Sequence, residues 1–136
     1  MKYSIKFYED KNGYSELYEE LMVLASKVST SKDARIQFYK ISYYIELLEN
    51  MGLSLPTNIS KHLSDEIWEL RPLNNRILFF YFKDNTFVLL HMFRKTTQKT
   101  PKSEIERAKK ECADYKKRLG GSKWKPGKTL RKMQNN

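Results

Sequence analysis

The sequence predicts a small α+β domain: an N-terminal strand, two helices, a three-stranded antiparallel hairpin series that completes a twisted sheet, and a C-terminal helix. Apolar residues recur at three-and-four spacing over residues 16–51 and again over residues 101–119, which is the period of amphipathic helices. Between them, residues 66–93 hold three runs rich in aromatic and β-branched residues and bounded by turn residues, which is typical of strands. The 136 residues suffice for one hydrophobic core.

The first half of the chain predicts one strand and two helices. Residues 3–7 alternate apolar and polar side chains, as a half-buried strand does. The first helix spans residues 16–29 and takes Ser15 as its N-cap, because a serine hydroxyl accepts a hydrogen bond from the first turn. The second helix spans residues 32–51 and ends at Gly52, since glycine adopts the left-handed conformation found at many helix ends.

The second helix carries a tyrosine stripe beside its apolar stripe. We interpret Tyr39 and Tyr43 as core residues rather than as platforms on which nucleic-acid bases stack. Residues 52–64 then predict a loop, because they contain proline, glycine and asparagine. His62 lies in this loop and is a reserve catalytic candidate, although a loop histidine more often has a surface or hydrogen-bonding role.

The central part of the chain predicts three antiparallel strands, over residues 66–72, 76–83 and 86–93. Asp84 and Asn85 separate the last two strands. Both residue types tolerate the left-handed backbone conformation that a two-residue hairpin turn requires. We therefore expect a tight hairpin at this position.

The predicted register sorts the strand residues onto two faces. Phe82 should face Phe87, Leu78 should face His91, and Arg71 should face Leu78, with side chains alternating by a period of two. One face is then all core: Trp68, Leu70, Ile77, Phe79, Tyr81, Val88, Leu90 and Met92. The other face carries, among apolar residues, the candidate site, which comprises Glu69, Arg71, Arg76 and His91, with Arg94 and Lys95 where the last strand ends.

After the strands the chain turns polar and then predicts a C-terminal helix. Pro101 opens this helix, since proline lacks the N–H that a first turn leaves unpaired, and the helix extends to residue 119. Cys112 has no second cysteine to pair with and is expected to pack in the core. We expect residues 1–119 to form a single domain and residues 120–136 to form a basic C-terminal tail.

Positive charge is concentrated in the last third of a chain whose net charge is +10. Residues 91–136 hold 15 Lys and Arg against 4 Asp and Glu, whereas residues 1–90 hold 11 against 12. Such asymmetry favours a polyanionic partner, with nucleic acid as the first choice and a merely solvated basic helix as the alternative. The longest apolar run, residues 77–82, is too short to span a membrane, and the N-terminus lacks a signal segment, so we expect a cytoplasmic protein without a membrane partner.

Four segments together resemble the HigB branch of the RelE/ParE toxin superfamily. They are Trp68-Glu69-Leu70-Arg71, residues 75–81 (Asn-Arg-Ile-Leu-Phe-Phe-Tyr), residues 90–101 (Leu-His-Met-Phe-Arg-Lys-Thr-Thr-Gln-Lys-Thr-Pro) and residues 104–108 (Glu-Ile-Glu-Arg-Ala). The match is specific over about residues 66–118. It implies a RelE-like fold with helices packed on one face of a twisted, mostly antiparallel sheet.

The resemblance also implies a function and partners. Members of this branch are toxins of type II toxin–antitoxin pairs, and they typically cleave messenger RNA on the translating ribosome without a metal or other cofactor. A helix-turn-helix antitoxin of the HigA kind silences them. The toxin–antitoxin complex also binds operator DNA.

The family's site residues carry over by position. Arg71 stands in the Glu-Leu-Arg signature, and Arg76 stands where the family has the arginine that opens the next strand. His91 and Lys95 match the histidine and the first lysine that precede the Thr-Gln-Lys-Thr-Pro segment. Thr96 replaces a frequent second lysine, and the catalytic tyrosine of RelE has no counterpart here. The division of acid and base work therefore stays open.

These residue types suit cleavage of RNA through its own 2′-hydroxyl. Arg71 and Arg76 are expected to hold the scissile phosphate, because a guanidinium donates two parallel charge-assisted hydrogen bonds. His91 is the favoured acid or base, and Lys95 should stabilise the leaving 5′-oxygen. Further residues expected to bind substrate are Glu69, Arg94 and Lys99. We expect no metal, since the nearby carboxylates do not converge.

Three alternatives remain open at the level of sequence. A purely structural interpretation ties the two arginines to Glu69 and places His91 at an edge of the core. A ParE-like gyrase inhibitor is possible because fold does not fix function. A nucleic-acid-binding regulator without catalysis would need only the basic last third of the chain.

Overall fold

The computed structural model describes residues 2–119, and the expected basic tail, residues 120–136, lies outside the described residues. It confirms the predicted α+β class. The elements in chain order are β1 (Ser4–Phe7), α1 (Glu16–Ser26), α2 (Lys32–Met51), a 3-10 turn (Gly52–Ser54), β2 (Ser60–Ser64), β3 (Ile67–Leu70), β4 (Asn75–Phe82), β5 (Thr86–Arg94) and α3 (Lys102–Leu119). The division at residue 119 into domain and tail stays a prediction.

The strands form one five-stranded sheet in the order β1-β5-β4-β3-β2. The first strand is parallel to β5, and the other pairs are antiparallel. Strand β2 corrects the prediction of a loop over residues 52–64. Its polar sequence, Ser-Lys-His-Leu-Ser, gives no apolar alternation because it is a short edge strand, and exposed edges commonly carry charge.

The hairpin between β4 and β5 differs from the predicted register near the turn. Leu78 pairs with His91 as expected, but Phe82 pairs with Thr86 rather than Phe87. Asp84 and Asn85 have the expected positive φ, 60° and 55°, within a turn that contains one residue more than predicted. A β-bulge beside Leu78 restores the register farther along the strands.

This bulge exchanges the faces of four apolar residues. Phe87 and Leu89 belong to the core under α1 and α2, whereas Val88 and Leu90 belong to the core under α3, opposite to the prediction. The predicted pairing of Arg71 with Leu78 is also wrong, because Glu69 pairs with Leu78. A shift of two residues leaves the face of each side chain unchanged, so the charged residues keep their predicted common face.

Helices cover both faces of the sheet, which corrects the implied packing on one face. The first core joins α1 and α2 to one face through buried residues that include Leu17, Leu21, Ile41, Ile45, Ile77 and Phe79. The second core joins α3 to the other face through Ile67, Leu78, Phe80, Val88, Leu90, Ala108, Cys112 and Tyr115. Cys112 packs there as predicted, and burial raises the pKa of its thiol to about 11.

The tyrosine stripe of α2 faces solvent, so the prediction that it belongs to the core is wrong. Tyr39 is 58% exposed and Tyr43 is 53% exposed. The neighbouring stripe of Ile41 and Ile45 already fills the contact between α2 and the sheet. Among residues 2–119, none of the helices has the length and apolar composition needed to cross a membrane.

Substitution of Gly52 by alanine is expected to destabilise the fold more than substitution of Gly13. Both glycines have positive φ, 59° and 77°, so both variants strain the backbone. Only at Gly52 would the new Cβ meet the ring of Tyr3, whose atoms lie 2.7 Å away. We expect losses of about 2–4 kcal/mol for Gly52→Ala and about 1 kcal/mol for Gly13→Ala in urea denaturation. Equal losses of stability in the two variants would contradict a clash between the new Cβ at position 52 and the ring of Tyr3.

Candidate active site

Two neighbouring strands bring the predicted arginines together with Glu69. Glu69 lies in β3, Arg71 follows that strand, and Arg76 lies in β4, its antiparallel partner. Side chains two residues apart along a strand share a face, so Glu69 and Arg71 project to the same side. The pairing of β3 with β4 then places Arg76 on that side as well. This is the face that α3 covers.

A single carboxylate lies between the two guanidinium groups. Oε2 of Glu69 is 3.5 Å from Nε of Arg71 and 3.8 Å from Nε of Arg76. Glu69 is only 2% exposed, and its other oxygen, Oε1, accepts a hydrogen bond from the hydroxyl of Thr100. Two cations facing one anion leave the group with one excess positive charge.

Burial and mutual repulsion make Arg76 the less favourably placed cation of the pair. Burial lowers its pKa from the usual value, the charge of Arg71 lowers it further, and Glu69 opposes both effects. Its side chain is 8% exposed, whereas that of Arg71 is 25% exposed. Arg71 is therefore the more accessible of the two cations, and Arg76 lies deeper.

The backbone holds each guanidinium in place through one nitrogen. Nη1 of Arg71 donates to the carbonyl of Thr57 at 3.1 Å. Nη1 of Arg76 donates to the carbonyls of Leu73 and Asn75, both at 2.8 Å. Within residues 2–119, Nε of Arg71 is buried without a hydrogen-bond partner. The pair is thus fixed in position while part of its donor capacity remains unused.

The basic segment after β5 passes beside this pair and contributes Lys95. The backbone N–H of Lys95 donates to the carbonyl of Asn74 at 2.7 Å, in the turn between β3 and β4. Lys99 is exposed farther along the segment. Arg94 lies elsewhere: it pairs with Asn75 and lines a cleft with Glu20 on the side of α1 and α2. The structure therefore attaches the backbone of Lys95 to the turn just before Arg76, whereas the side chain of Arg94 lines a different cleft.

His91 lies on the same face of the sheet but is enclosed by α3. It is 0% exposed. Its Nδ1 is 2.5 Å from Oε1 of Glu111, and its Nε2 is 2.9 Å from Oε1 of Glu104. Each ring nitrogen therefore faces a carboxylate oxygen of α3 at hydrogen-bonding distance. Both nitrogens are occupied, and neither reaches solvent in this structure.

Polar contacts hold α3 over the sheet along its whole length. Near its C-terminal end the hydroxyl of Tyr8 donates to Oδ2 of Asp114 at 2.7 Å, and Arg118 pairs with the same carboxylate at 2.8 Å. The hydrogen bond from Arg118 is the main cause that lowers the pKa of Asp114. Burial, followed by the hydrogen bond that the Tyr8 hydroxyl itself donates to Asp114, raises the pKa of Tyr8 to about 12.

The first half of α3 is held to α1. Arg107 pairs with Glu16 of α1 at 3.1 Å and with Glu111 at 3.3 Å. Burial lowers the pKa of Arg107, but the negative charges of Glu111 and Glu16 outweigh that effect. The pKa of Arg107 therefore lies above its usual value. Helix α3, which encloses His91, thus contacts α1 through Arg107 as well as the sheet through its apolar side.

Sequence reasoning missed three residues of this region: Thr100, Glu104 and Glu111. Thr100 and Glu104 lie within segments that carry the resemblance, but contact with Glu69 and His91 depends on how α3 packs. Glu104 and Glu111 are seven residues apart, a spacing that puts both on one face of a helix. The reserve candidate His62 lies in edge strand β2, where Nε2 is 2.7 Å from the carbonyl oxygen of Asp65. Within residues 2–119, no group of three or more His, Cys, Asp or Glu side chains has an arrangement that could hold a metal ion.

Substitution of His91 by glutamine is expected to lower the free energy of unfolding by about 3–5 kcal/mol, because it removes the buried partner that both carboxylates contact. Glu111→Gln should then cost less in the His91→Gln background than in the wild-type chain. Urea denaturation of the four proteins in this double-mutant cycle measures the coupling. Strictly additive losses would show that His91 and Glu111 do not interact.

One comparison identifies a related family. A family model described as "Phage derived protein Gp49-like (DUF891)" matches residues 30–113, which include α2, strands β2 to β5 and most of α3. This is more than half of the chain and contains every candidate residue discussed above. Comparison with curated proteins finds no match.

Proposed function

We propose that this chain, which belongs to the phage-derived Gp49-like family of RelE-like toxins associated with antitoxins, is the HigB-type toxin of a type II pair. In this proposal residues 1–119 form the toxin domain. This domain cleaves messenger RNA on the translating ribosome. The observation that carries the proposal is the pair of guanidinium groups that share Glu69 and leave one positive charge unbalanced. A phosphodiester supplies the missing negative charge.

Phosphate geometry suits the exposed part of the pair. Arg71 reaches solvent, and a guanidinium donates in the planar arrangement that two phosphate oxygens accept. Arg76 lies behind it, fixed to two backbone carbonyls. Because Arg76 is buried, its charge is screened less by water than that of a surface arginine. Together the two arginines favour binding of an anion on the side where Arg71 is exposed to solvent.

The proposed reaction is a transfer within the RNA. The 2′-oxygen forms a bond to phosphorus, and the bond from phosphorus to the 5′-oxygen breaks, which leaves a 2′,3′-cyclic phosphate and a 5′-hydroxyl. Arg71 and Arg76 stabilise the negative charge on the phosphate as the crowded intermediate forms. Lys95 stabilises the leaving 5′-oxygen, which takes up a proton, while the 2′-hydroxyl loses one to solvent.

His91 has a different role in this proposal from the acid or base expected from the sequence. Both of its nitrogens face carboxylates of α3, and it has no exposed surface. We assign it the task of holding α3 against the sheet. Catalysis then depends mainly on preorganised positive charge, which alone contributes several orders of magnitude in other enzymes.

The partners in the proposal follow from the surface charge and the family. Lys99 and the outward lysines of α3 would contact RNA of the message or the ribosome. A helix-turn-helix antitoxin of the HigA kind would silence the toxin, and their complex would bind operator DNA. The toxin would act in the cytoplasm, where its substrate is translated.

A second candidate is an RNA-binding regulator without catalysis. The enclosure of His91 favours it, because the imidazole of His91 is then not available to transfer a proton. In that case the protein would bind RNA at the arginine pair without cleaving it. Cleavage assays on active ribosomes separate the two functions.

Arg71→Ala and Lys95→Ala are each expected to reduce cleavage of a reporter message by about 10²-fold or more, since each removes a preorganised donor. Arg76→Lys retains the charge but loses the planar donor set, and should fall between them and the wild type. Cleavage is measured by primer extension during in-vitro translation.

Arg35→Ala is the matched control, because Arg35 is exposed on α2 and its side chain donates to the carbonyl of Val28, away from the arginine pair. It should cut like the wild type. Full activity of Arg71→Ala would remove the arginine pair from the mechanism. RNA binding without cleavage by the wild type would favour the regulator.

A further inference from the structure

Glu69 divides its two carboxylate oxygens between two kinds of partner. Oε2 faces both arginines, at 3.5 Å and 3.8 Å from their Nε atoms. Both distances exceed the range of about 2.7–3.2 Å for a direct N–H···O hydrogen bond. Oε1 accepts the hydrogen bond from Oγ1 of Thr100 instead. The arginines are therefore attracted to Glu69 without being bound to it by hydrogen bonds.

Thr100 stands at the far end of the basic segment that begins with Lys95. The N–H of Lys95 holds the start of this segment to Asn74, and the hydroxyl of Thr100 holds its end to Glu69. Immediately afterwards α3 begins at Lys102. The segment is thus attached at one end to the turn between β3 and β4 and at the other end to β3.

Loss of the Thr100 hydroxyl would free Oε1 in a place that water scarcely reaches, because Glu69 is 2% exposed. An unpaired buried carboxylate oxygen is costly, so it turns to the nearest available donor. That donor is a guanidinium of Arg71 or Arg76. A carboxylate with both oxygens on one guanidinium forms a bidentate pair, which uses the donors that a phosphate needs.

We propose that Thr100 is a positioning residue of the phosphate site: its hydroxyl holds one oxygen of Glu69 and so keeps the two arginines available to substrate. This inference rests on the proposed ribonuclease function. The segment between β5 and α3 would then have two roles: it supplies Lys95, and through Thr100 it keeps the donors of the two arginines free for substrate. The hydroxyl acts through Glu69 and does not itself contact RNA.

The test compares Thr100→Val, which removes the hydroxyl at nearly constant shape, with Thr100→Ser, which keeps it. Thr86→Val is the matched control, since the Thr86 hydroxyl bonds to the carbonyl of Asp84 at the other end of β5. Cleavage by Thr100→Val should fall about tenfold to a hundredfold, mainly through a higher KM for message. Thr100→Ser and Thr86→Val should remain within about twofold of the wild type.

A second readout works without catalysis. In the ¹⁵N-labelled full chain, the side-chain Nε–H signals of Arg71 and Arg76 should shift in Thr100→Val as the guanidinium pairs with Glu69. They should keep their wild-type positions in Thr100→Ser and in Thr86→Val. Unchanged arginine signals in Thr100→Val would overturn the inference.

The two proposals fail in different ways. If the wild type leaves all message intact, the ribonuclease function is wrong, and the arginine signals still decide whether Thr100 positions the pair. If the wild type cleaves and Thr100→Val cleaves equally well, the inference about Thr100 is wrong while the function stands. Should valine prevent folding, Thr100→Ala removes the same hydroxyl, and Thr86→Ala becomes its control.

Discussion

A buried carboxylate shared by two arginines is the interaction on which the site depends. Burial of charge is costly unless the charges are paired and hydrogen-bonded, and here Glu69 pairs with Arg71 and Arg76 at distances that leave neither saturated. Backbone carbonyls hold both guanidinium groups in place, and the Thr100 hydroxyl donates to the other oxygen of Glu69. A protein that needs only stability has little reason to keep two cations on one anion, whereas a phosphate-binding site needs this imbalance.

The second constraint is the position of α3. It covers the face that carries the arginines, buries its apolar side against β4 and β5, and encloses His91 between Glu104 and Glu111. Arg71 lies beside this cover and keeps a quarter of its side chain exposed. The same helix therefore closes one part of the charged face and leaves another part open. The short segment from Lys95 to Thr100 connects the strands of the arginine site with α3.

The strands and their charged face could be predicted because both depend on local sequence. The alternation along β3 and β4 survives a register error of two residues, so Glu69, Arg71 and Arg76 keep a common face. The bulge near Leu90, edge strand β2 and the exposure of Tyr39 could not be predicted. Each depends on contacts between distant segments. The enclosure of His91 is the clearest case, because alternation gives its face but not what packs on that face.

The most direct measurement is an NMR titration of the ¹⁵N-labelled full chain with a dinucleotide. In this dinucleotide the attacking 2′-hydroxyl is replaced by hydrogen. Such a ligand presents the phosphodiester and cannot be cut. A phosphate site at the arginine pair predicts saturable binding in which the largest shift changes fall on the side chains of Arg71 and Arg76 and on Lys95. Largest changes on the outward lysines of α3, with the Arg71 side chain unaffected, would contradict a phosphate site at the arginine pair.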